Sequence, residues 1–285
     1  MFFKLIRYDL KVGFSTTYKR YLVASALFAV IFLTFFLSMI SFNSLAPEPE
    51  AQIKRTLGNM LLYAFGGMQE YKPAPGVAFQ FPAFWMLSYL LLAYITLYYP
   101  FNDLEEFGQN ILIRCRGRRL WWLSKCVWNI SSVLCFFLLA WIIFIIGCLL
   151  SGCSLSMELS PSMSAILKLD NGRYMQFPAS LIPQTLLLPP LVMISMNLFQ
   201  MALSLFIKPF YSFMVTAVVL LTSSYYLSPF FIGNYAMPLR SDQMVANGVS
   251  LTAGIIFSLI IIVVSVVAGG IAFQKRDILK GEGDG

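Results

Sequence analysis

Six uncharged apolar runs, each close to the length of a bilayer crossing, constrain this chain more than any other feature. Residues 21–42, 82–101, 126–150, 186–206, 210–231 and 251–273 contain no Asp, Glu, Lys or Arg. A transmembrane helix needs about 20 apolar residues, whereas barrel strands alternate in segments of about 10. Only 12% of the 285 residues are charged, where about 25% is usual in a soluble domain. We therefore predict an all-α membrane protein in which six transmembrane helices form a single domain over residues 1–285.

The distribution of cations predicts the orientation of these helices. Six crossings place both termini on one side, together with the segment between the second and third runs and the short turn at Lys208. That side carries fourteen of the 20 Lys and Arg residues, and the other side carries six. Because cytosolic loops carry an excess of Lys and Arg, we expect both termini in the cytosol and a multi-pass protein of the cell (cytoplasmic) membrane.

Residues 1–19 have the pattern of a helix that lies in the membrane interface. Phe3, Ile6, Leu10 and Phe14 recur at helical spacing, with cations beside them. Lys and Arg side chains of such a helix can reach the lipid headgroups. We predict a separate N-terminal interfacial helix in contact with membrane lipids, and a plain cytosolic anchor is the alternative.

The composition excludes most catalytic and metal chemistry. The chain has no histidine, which removes most zinc and haem sites and the Ser-His-Asp arrangement. Its five cysteines show no close pair, and three lie within one apolar run, where a thiol behaves as a small apolar side chain. We expect no catalytic residue, no metal site and no cofactor in this chain. The net charge of +7 follows from the loop bias, so we expect no nucleic-acid partner.

Two long polar segments, residues 43–81 and 151–185, are predicted on the outer side. In the first segment, apolar residues recur at helical spacing over 51–65, and Gly66-Gly67 provides a stop. This pattern predicts an amphipathic helix that lies on the membrane surface or over the mouth of a cavity.

The fourth apolar run holds polar and helix-breaking residues that could line a translocation path. Pro189 and Pro190 free backbone carbonyls, which at membrane depth must be satisfied by protein or water. Asn197 and Gln200 are its polar side chains. Hydrogen bonding between helices is the alternative role for this pair.

The polar segment after the second run has a three-part pattern that a simple turn does not need. Acidic residues come first, an apolar patch follows at 111–113, and a basic block spans 114–119. An apolar-faced short helix in the cytosol needs a groove to fill. We call residues 102–119 the elbow and predict that it docks on a partner protein. The predicted docking residues are Asp103, Leu104, Glu105, Glu106, Phe107, Gly108, Gln109, Ile111, Leu112, Arg114 and, from the turn after the fourth run, Lys208.

The residues that follow the elbow are predicted to fix the third transmembrane helix at the membrane interface. Trp and Tyr side chains are enriched at the headgroup level, and Lys and Arg reach the same level. The predicted interfacial anchors are Arg118, Arg119, Trp121, Trp122 and Lys125.

The pattern of this region resembles the first cytoplasmic loop of ABC-2 type transporter permeases. The residues that carry the resemblance are Asp103-Leu104-Glu105, Gly108, Ile111-Leu112, Arg114, Arg118-Arg119, Trp121-Trp122 and Lys125. The six-helix layout and the amphipathic segment before the first helix are also similar to that family.

The resemblance implies an assembly in which transport and ATP hydrolysis are carried out by different subunits. The elbow would carry a coupling helix that docks on a pair of separate P-loop ATPase subunits, which hold ATP and Mg. A second permease copy or paralogue would complete the assembly, and the direction would be export. The absence of a Gly-x-x-x-x-Gly-Lys-Ser/Thr sequence agrees with ATP hydrolysis in another chain, so we do not expect an enzyme. The first outer segment is longer than in compact members of that family, so no cargo class follows.

Two other classes of function compete with the permease, and the sequence argues against the second. A non-transporting immunity or sensor protein would bind a peptide at its outer loops and would need no ATPase. An intramembrane protease of the CAAX type has a Glu-Glu pair, as at 105–106, but it also needs membrane-embedded histidines, which this chain lacks.

Overall fold

The computed structural model describes residues 2–46, 51–73, 75, 78–104, 117–169 and 175–275. These residues form helices and no β-strand, with isolated bridges only at Thr56–Ser154 and Ser241–Val249. The α-helices are α1 Phe2–Leu45, α2 Leu57–Phe65, α3 Ala83–Leu97, α4 Tyr99–Asp103, α5 Arg118–Leu150, α6 Met163–Ile166, α7 Leu181–Leu203, α8 Pro209–Tyr225 and α9 Leu251–Lys275. Two short 3-10 helices, Ile232–Ala236 and Pro238–Arg240, lie between α8 and α9.

Five helical segments are long and apolar enough to cross a membrane: α1, α3 continued by α4, α5, α7 and α9. This confirms a helical protein of membrane type and five of the six predicted runs. The predicted helix 210–231 ends already at Tyr225, and α8 has only 17 residues. At 1.5 Å per residue its length is about 26 Å, which is short of a typical hydrocarbon core of about 30 Å.

Helix α1 is continuous over 44 residues, so the predicted break between an N-terminal helix and a first transmembrane helix is wrong. Its physical reason lies in residues 13–20, where no proline interrupts the hydrogen-bond ladder. The hydroxyls of Thr16 and Thr17 donate back to the Gly13 carbonyl within the helix, at 3.0 and 2.7 Å. A helix of this length has about twice the residues needed for one crossing. Its N-terminal half therefore extends beyond the most apolar part of the bundle.

Aromatic residues fill the centre of the helix bundle. Phe28 of α1 lies 5.0 Å from Phe136 and 5.8 Å from Phe144 of α5 between ring centroids, in edge-on geometry. Phe65 of α2 joins the same cluster, with its ring centroid 5.4 Å from that of Phe137. Edge-on pairs of this kind are favoured over face-to-face stacks and contribute about 0.5–1.5 kcal/mol each beyond the area they bury.

Helix α2 is part of the core, so the first of its two predicted places, the membrane surface, is wrong; the mouth of a cavity was the other. Eight of its nine residues are buried. Asn59 explains how a polar residue can be accommodated there, because it donates to Ser160 Oγ at 2.9 Å and accepts from the Ser160 backbone at 3.0 Å. The Leu57 backbone donates to the Ser154 carbonyl at 3.0 Å. The two predicted outer segments thus pair with each other and cover one end of the bundle; we call this region the outer cap.

Arg240 fixes the last part of the outer cap. This fully buried residue donates to the carbonyls of Ser223 and Ser224 at the end of α8. It also donates to the Asn234 side chain and, at 3.0 Å, to the Met68 carbonyl. A cation is favoured at a helix C-terminus, where carbonyls lack helical donors. Burial lowers the pKa of the Arg240 guanidinium to about 10, so it remains charged at neutral pH.

Replacing Arg240 with methionine should destabilise the protein by about 3 kcal/mol or more, because several buried carbonyls would lose their donor at once. The check is thermal unfolding in one detergent, with Arg55→Met as the matched control, since Arg55 is an exposed arginine of the same cap. Equal unfolding temperatures for the two variants would contradict this role of Arg240.

Candidate functional site: a buried ion cluster at the N-terminal end of the bundle

Lys125 of α5 lies between two carboxylates in the interior of the protein. Its Nζ atom is 2.5 Å from Asp9 Oδ1 on α1 and 2.6 Å from Asp103 Oδ2 at the end of α4. The side chain of Lys125 is completely buried, and those of Asp9 and Asp103 are 3% and 4% exposed. We call these three residues the ion cluster. It joins the three chain segments that meet beside the elbow.

Hydroxyl groups complete the coordination of both carboxylates. Tyr99 donates to Asp9 Oδ1 at 2.9 Å, and Ser124 donates to Asp9 Oδ2. Tyr8 donates to Asp103 Oδ1 at 3.2 Å. Buried charges are tolerated when they are paired and hydrogen-bonded. Each carboxylate oxygen here has at least one donor.

Two aromatic rings lie against the ammonium group of Lys125. The Nζ atom of Lys125 lies 4.4 Å from the ring centroid of Tyr99 and 5.0 Å from that of Trp121. Both distances allow a cation–π attraction, which is stronger where water is excluded. Trp121 in turn stacks on Phe273 of α9 at 4.6 Å. Trp121 therefore lies between the ion cluster and a fourth helix, α9.

Glycines allow the helices to approach closely around this cluster. A Cβ atom at Gly13 of α1 would meet the Trp128 ring at 2.1 Å, and one at Gly269 of α9 would meet the Trp122 ring at 2.2 Å. The indole of Trp122 also donates to the Val266 carbonyl at 2.9 Å. These contacts fix the height and rotation of α5, and with them the position of Lys125.

The charges of the ion cluster do not balance. With all three groups ionised, two carboxylates face one ammonium, and the cluster carries a net charge of −1. Removing one partner from a buried ion pair costs about 3–5 kcal/mol, because the other charge is left uncompensated. The cluster therefore makes the relative position of α1, α4 and α5 energetically specific.

The structure places three of the predicted docking residues. Asp103 is buried and turns into the ion cluster. Leu104 is half-buried, and Lys208 is exposed in the turn between α7 and α8. The other predicted docking residues lie outside the described residues: Glu105, Glu106, Phe107, Gly108, Gln109, Ile111, Leu112 and Arg114.

The predicted interfacial anchors divide into two groups. Trp121, Trp122 and Lys125 are buried within the protein, so their prediction as interfacial anchors needs correction. The third long helix begins at Arg118, eight residues earlier than predicted, and this extension carries them into contact with α1 and α9. Arg118 donates to the Gln274 carbonyl at 2.8 Å, and Arg119 donates to the Gln274 side chain at 3.1 Å. These two arginines tie the start of α5 to the end of α9.

The residues predicted for a translocation path are all buried in α7, which contains Pro189 and Pro190 in its interior. Gln200 donates to the Ala93 carbonyl of α3 at 2.9 Å, which is the contact between helices expected as the alternative role. Both polar atoms of the Asn197 side chain have no hydrogen-bond partner among the described residues. A buried amide without partners costs about 1–3 kcal/mol.

Sequence reasoning missed Asp9 and the internal role of Lys125. The predicted face of the N-terminal helix is the one that carries Phe3 and Leu10, but the structure buries Leu5, Asp9 and Gly13. The available signal was one acidic residue among several cations, spaced four residues from small or apolar neighbours. Its partner Lys125 lies 116 positions away, so only the packing of α1 on α5 reveals the pair.

The fold and the cluster define a helical protein of membrane type whose ionisable core residues meet beside the elbow. The chain belongs to the family described as "Protein of unknown function (DUF2705)", whose model matches residues 26–279. Neither the curated proteins nor the solved structures gave a match.

The Lys125→Met variant should unfold at a markedly lower temperature, with a loss of about 3–5 kcal/mol, because two carboxylates would face each other without a cation. Adding Asp9→Asn and Asp103→Asn should recover part of that loss, since the triple variant has no uncompensated charge. Thermal unfolding of the three proteins in one detergent provides the measurement. A triple variant no more stable than Lys125→Met would contradict the charge argument.

Proposed function

We propose that this chain is the membrane-spanning permease subunit of an ABC exporter in the cell membrane. It crosses the bilayer six times, with α8 as the short crossing and both termini in the cytosol. The part of α1 before residue 20 continues the first crossing into the cytosol. A pair of separate P-loop ATPase subunits binds and hydrolyses ATP, and a second permease copy or paralogue completes the assembly.

The observation that best supports this proposal is the position of the ion cluster relative to the elbow. Asp103 comes two residues before the segment 105–116, and Lys125 comes nine residues after it. The two side chains are joined at 2.6 Å. An ATPase that moves the elbow would therefore pull on α4 and α5 together. Asp9 extends the same connection to α1 at 2.5 Å. A rigid connection of this kind is what rocking of membrane helices by an external ATPase requires.

The ionisable residues also bear on the energy source. Ion-driven carriers generally keep titratable groups along the transport path at membrane depth. In the described residues the buried carboxylates are Asp9, in the N-terminal part of α1, and Asp103, at the end of α4, and both are already paired with Lys125. This arrangement favours transport that is driven by a separate ATPase and not by an ion gradient.

The second candidate is a non-transporting immunity or sensor protein, and one observation favours it. The described part of the outer cap has two clefts of about 500 and 620 Å³, and Lys54 lines both. Such clefts could receive a peptide. This candidate needs no ATPase partner. A purification from native membranes that tests for a bound ATPase therefore distinguishes the two candidate functions.

Purification from native membranes in a mild detergent should yield a stoichiometric P-loop ATPase, identified by mass spectrometry. Reversing the charges of Glu105 and Glu106 to lysine, or replacing Gly108 with proline, should abolish its recovery while leaving membrane insertion intact. Glu158→Lys is the matched control, because Glu158 is an exposed acid of the outer cap. Recovery of no ATPase in several detergents would favour the immunity or sensor candidate. Full recovery with the elbow variants would contradict docking at the elbow.

The translocation path is proposed to run along α7, because the buried Asn197 amide lacks partners and would gain them from water or cargo. A chain with its natural cysteines replaced by serine and a single Asn197→Cys should resist a membrane-impermeant thiol reagent at rest. It should react when the ATPase is trapped with ATP. Leu187→Cys on the outward side of the same helix, where Leu187 is 50% exposed, is the control and should not change. No reaction at position 197 in either nucleotide state would contradict the path.

A further inference from the structure

A small polar cleft lies beside the ion cluster, between α1 and the end of α3 with α4. Its volume is about 130 Å³. The side chains that matter for its chemistry are those of Thr16, Thr17, Arg20, Tyr98, Asn102 and Asp103. Thr16 and Asn102 are exposed at its rim, whereas Asp103 lies buried at its base. The cleft is therefore open on one side and charged within.

Arg20 forms the positive end of the cleft. Its Nη1 atom donates to the carbonyls of Tyr94 and Ile95 at 3.3 and 3.1 Å, near the end of α3. Its guanidinium lies 4.8 Å from the ring centroid of Tyr94 and 6.0 Å from that of Tyr98. The Nε and Nη2 atoms of Arg20 have no acceptor in the described part of the chain. The guanidinium is thus held in place with donors to spare, an arrangement suited to an anion such as phosphate.

The ion cluster forms the negative end. Asp103 lines the cleft, and the cluster behind it carries one carboxylate more than it has cations. A carboxylate has about four acceptor positions, and the contacts of Asp103 with Tyr8 and Lys125 leave room for a further donor. An ammonium group in the cleft would therefore offset the excess charge. The Asn102 side chain at the rim provides another acceptor.

The two ends have a separation and a height that match a lipid headgroup. Ile95 on α3 and Asp103 on α4 are eight residues apart, with a bend at Tyr98 between them, and helical rise over that stretch would be about 12 Å. A phosphoethanolamine group with a hydrogen bond of about 3 Å at each end can reach across such a cleft. Arg20 stands directly before the uncharged run 21–42, at the boundary of the bilayer, and Asp103 lies further from the membrane centre. A phosphate at Arg20 and an amine at Asp103 follow the order of these groups in a bilayer lipid.

We propose that this cleft binds the headgroup of a phosphatidylethanolamine molecule from the surrounding leaflet. The phosphate accepts from Arg20, and the ammonium donates to Asp103 and Asn102. A zwitterion suits the site because the cleft pairs one cation with one excess negative charge. This proposal stands whether or not the chain has an ATPase partner.

The test compares lipids with identical acyl chains and different headgroups on delipidated protein. Mass spectrometry of the intact protein in detergent should show one phosphatidylethanolamine retained about tenfold more than phosphatidylcholine or phosphatidylglycerol. Phosphatidylcholine has the phosphate but cannot donate from its quaternary ammonium, and phosphatidylglycerol lacks the cation. Equal retention of all three lipids, or a preference for either of the other two, would overturn the proposal.

Two variants locate the bound lipid. Thr16→Trp fills the cleft from its rim and should reduce retention about tenfold, whereas Tyr18→Trp, at an exposed position of the same helix, should not. Asn102→Trp fills the cleft from the opposite wall and decides the matter if Thr16→Trp fails to fold. Retention by a folded filled variant at the level of Tyr18→Trp would mean that the lipid binds elsewhere. Displacement of the lipid by an equal concentration of soluble phosphoethanolamine would identify a soluble ligand and overturn the lipid assignment.

Discussion

Two carboxylates share the charge of a single buried lysine, and the arrangement of the N-terminal end of the bundle depends on this sharing. If Lys125 moved away from Asp9, an unpaired charge would remain in the interior. Separation of Lys125 from Asp103 would have the same effect. Hydrophobic packing alone would allow α1 and α5 to slide, because apolar contacts are not directional. The ion cluster removes that freedom. It sets α1, α4 and α5 at one height, and the close contacts of Gly13 and Gly269 with tryptophan rings keep them there.

The opposite end of the molecule uses a different solution to the same problem. In the outer cap, Arg240 is buried with no ion pair within 4.0 Å among the described residues, and carbonyl dipoles at the end of α8 stabilise its positive charge. Asn59 joins the two outer segments through Ser160. One end of the bundle is thus fixed by neutral dipoles, and the other by an ion cluster with an unbalanced charge. The proposed ATPase and the proposed lipid both bind at the end that holds the ion cluster.

The sequence predicts the helical class and five long helices to within a few residues at most ends, because uncharged runs of this length have few other structures open to them. It fails where tertiary contacts decide. Residues such as Lys125 and Trp122 carry the composition of a membrane interface, and only the packing of α1 and α9 on α5 turns them inward. The same applies to α2, whose apolar spacing is equally consistent with a surface helix until Asn59 meets Ser160. Asp9 could not be paired from sequence, since its partner lies on a distant helix.

The central claim is that the ion-cluster end of the bundle receives an ATPase through the elbow. The most direct measurement places a photoreactive residue at position 106 in the elbow, with position 45 at the other end of α1 as the control, and identifies the crosslinked protein after illumination of native membranes. The account predicts a P-loop ATPase adduct from position 106 and none from position 45. An absence of any ATPase adduct from position 106, while the chain is folded and inserted, would contradict it.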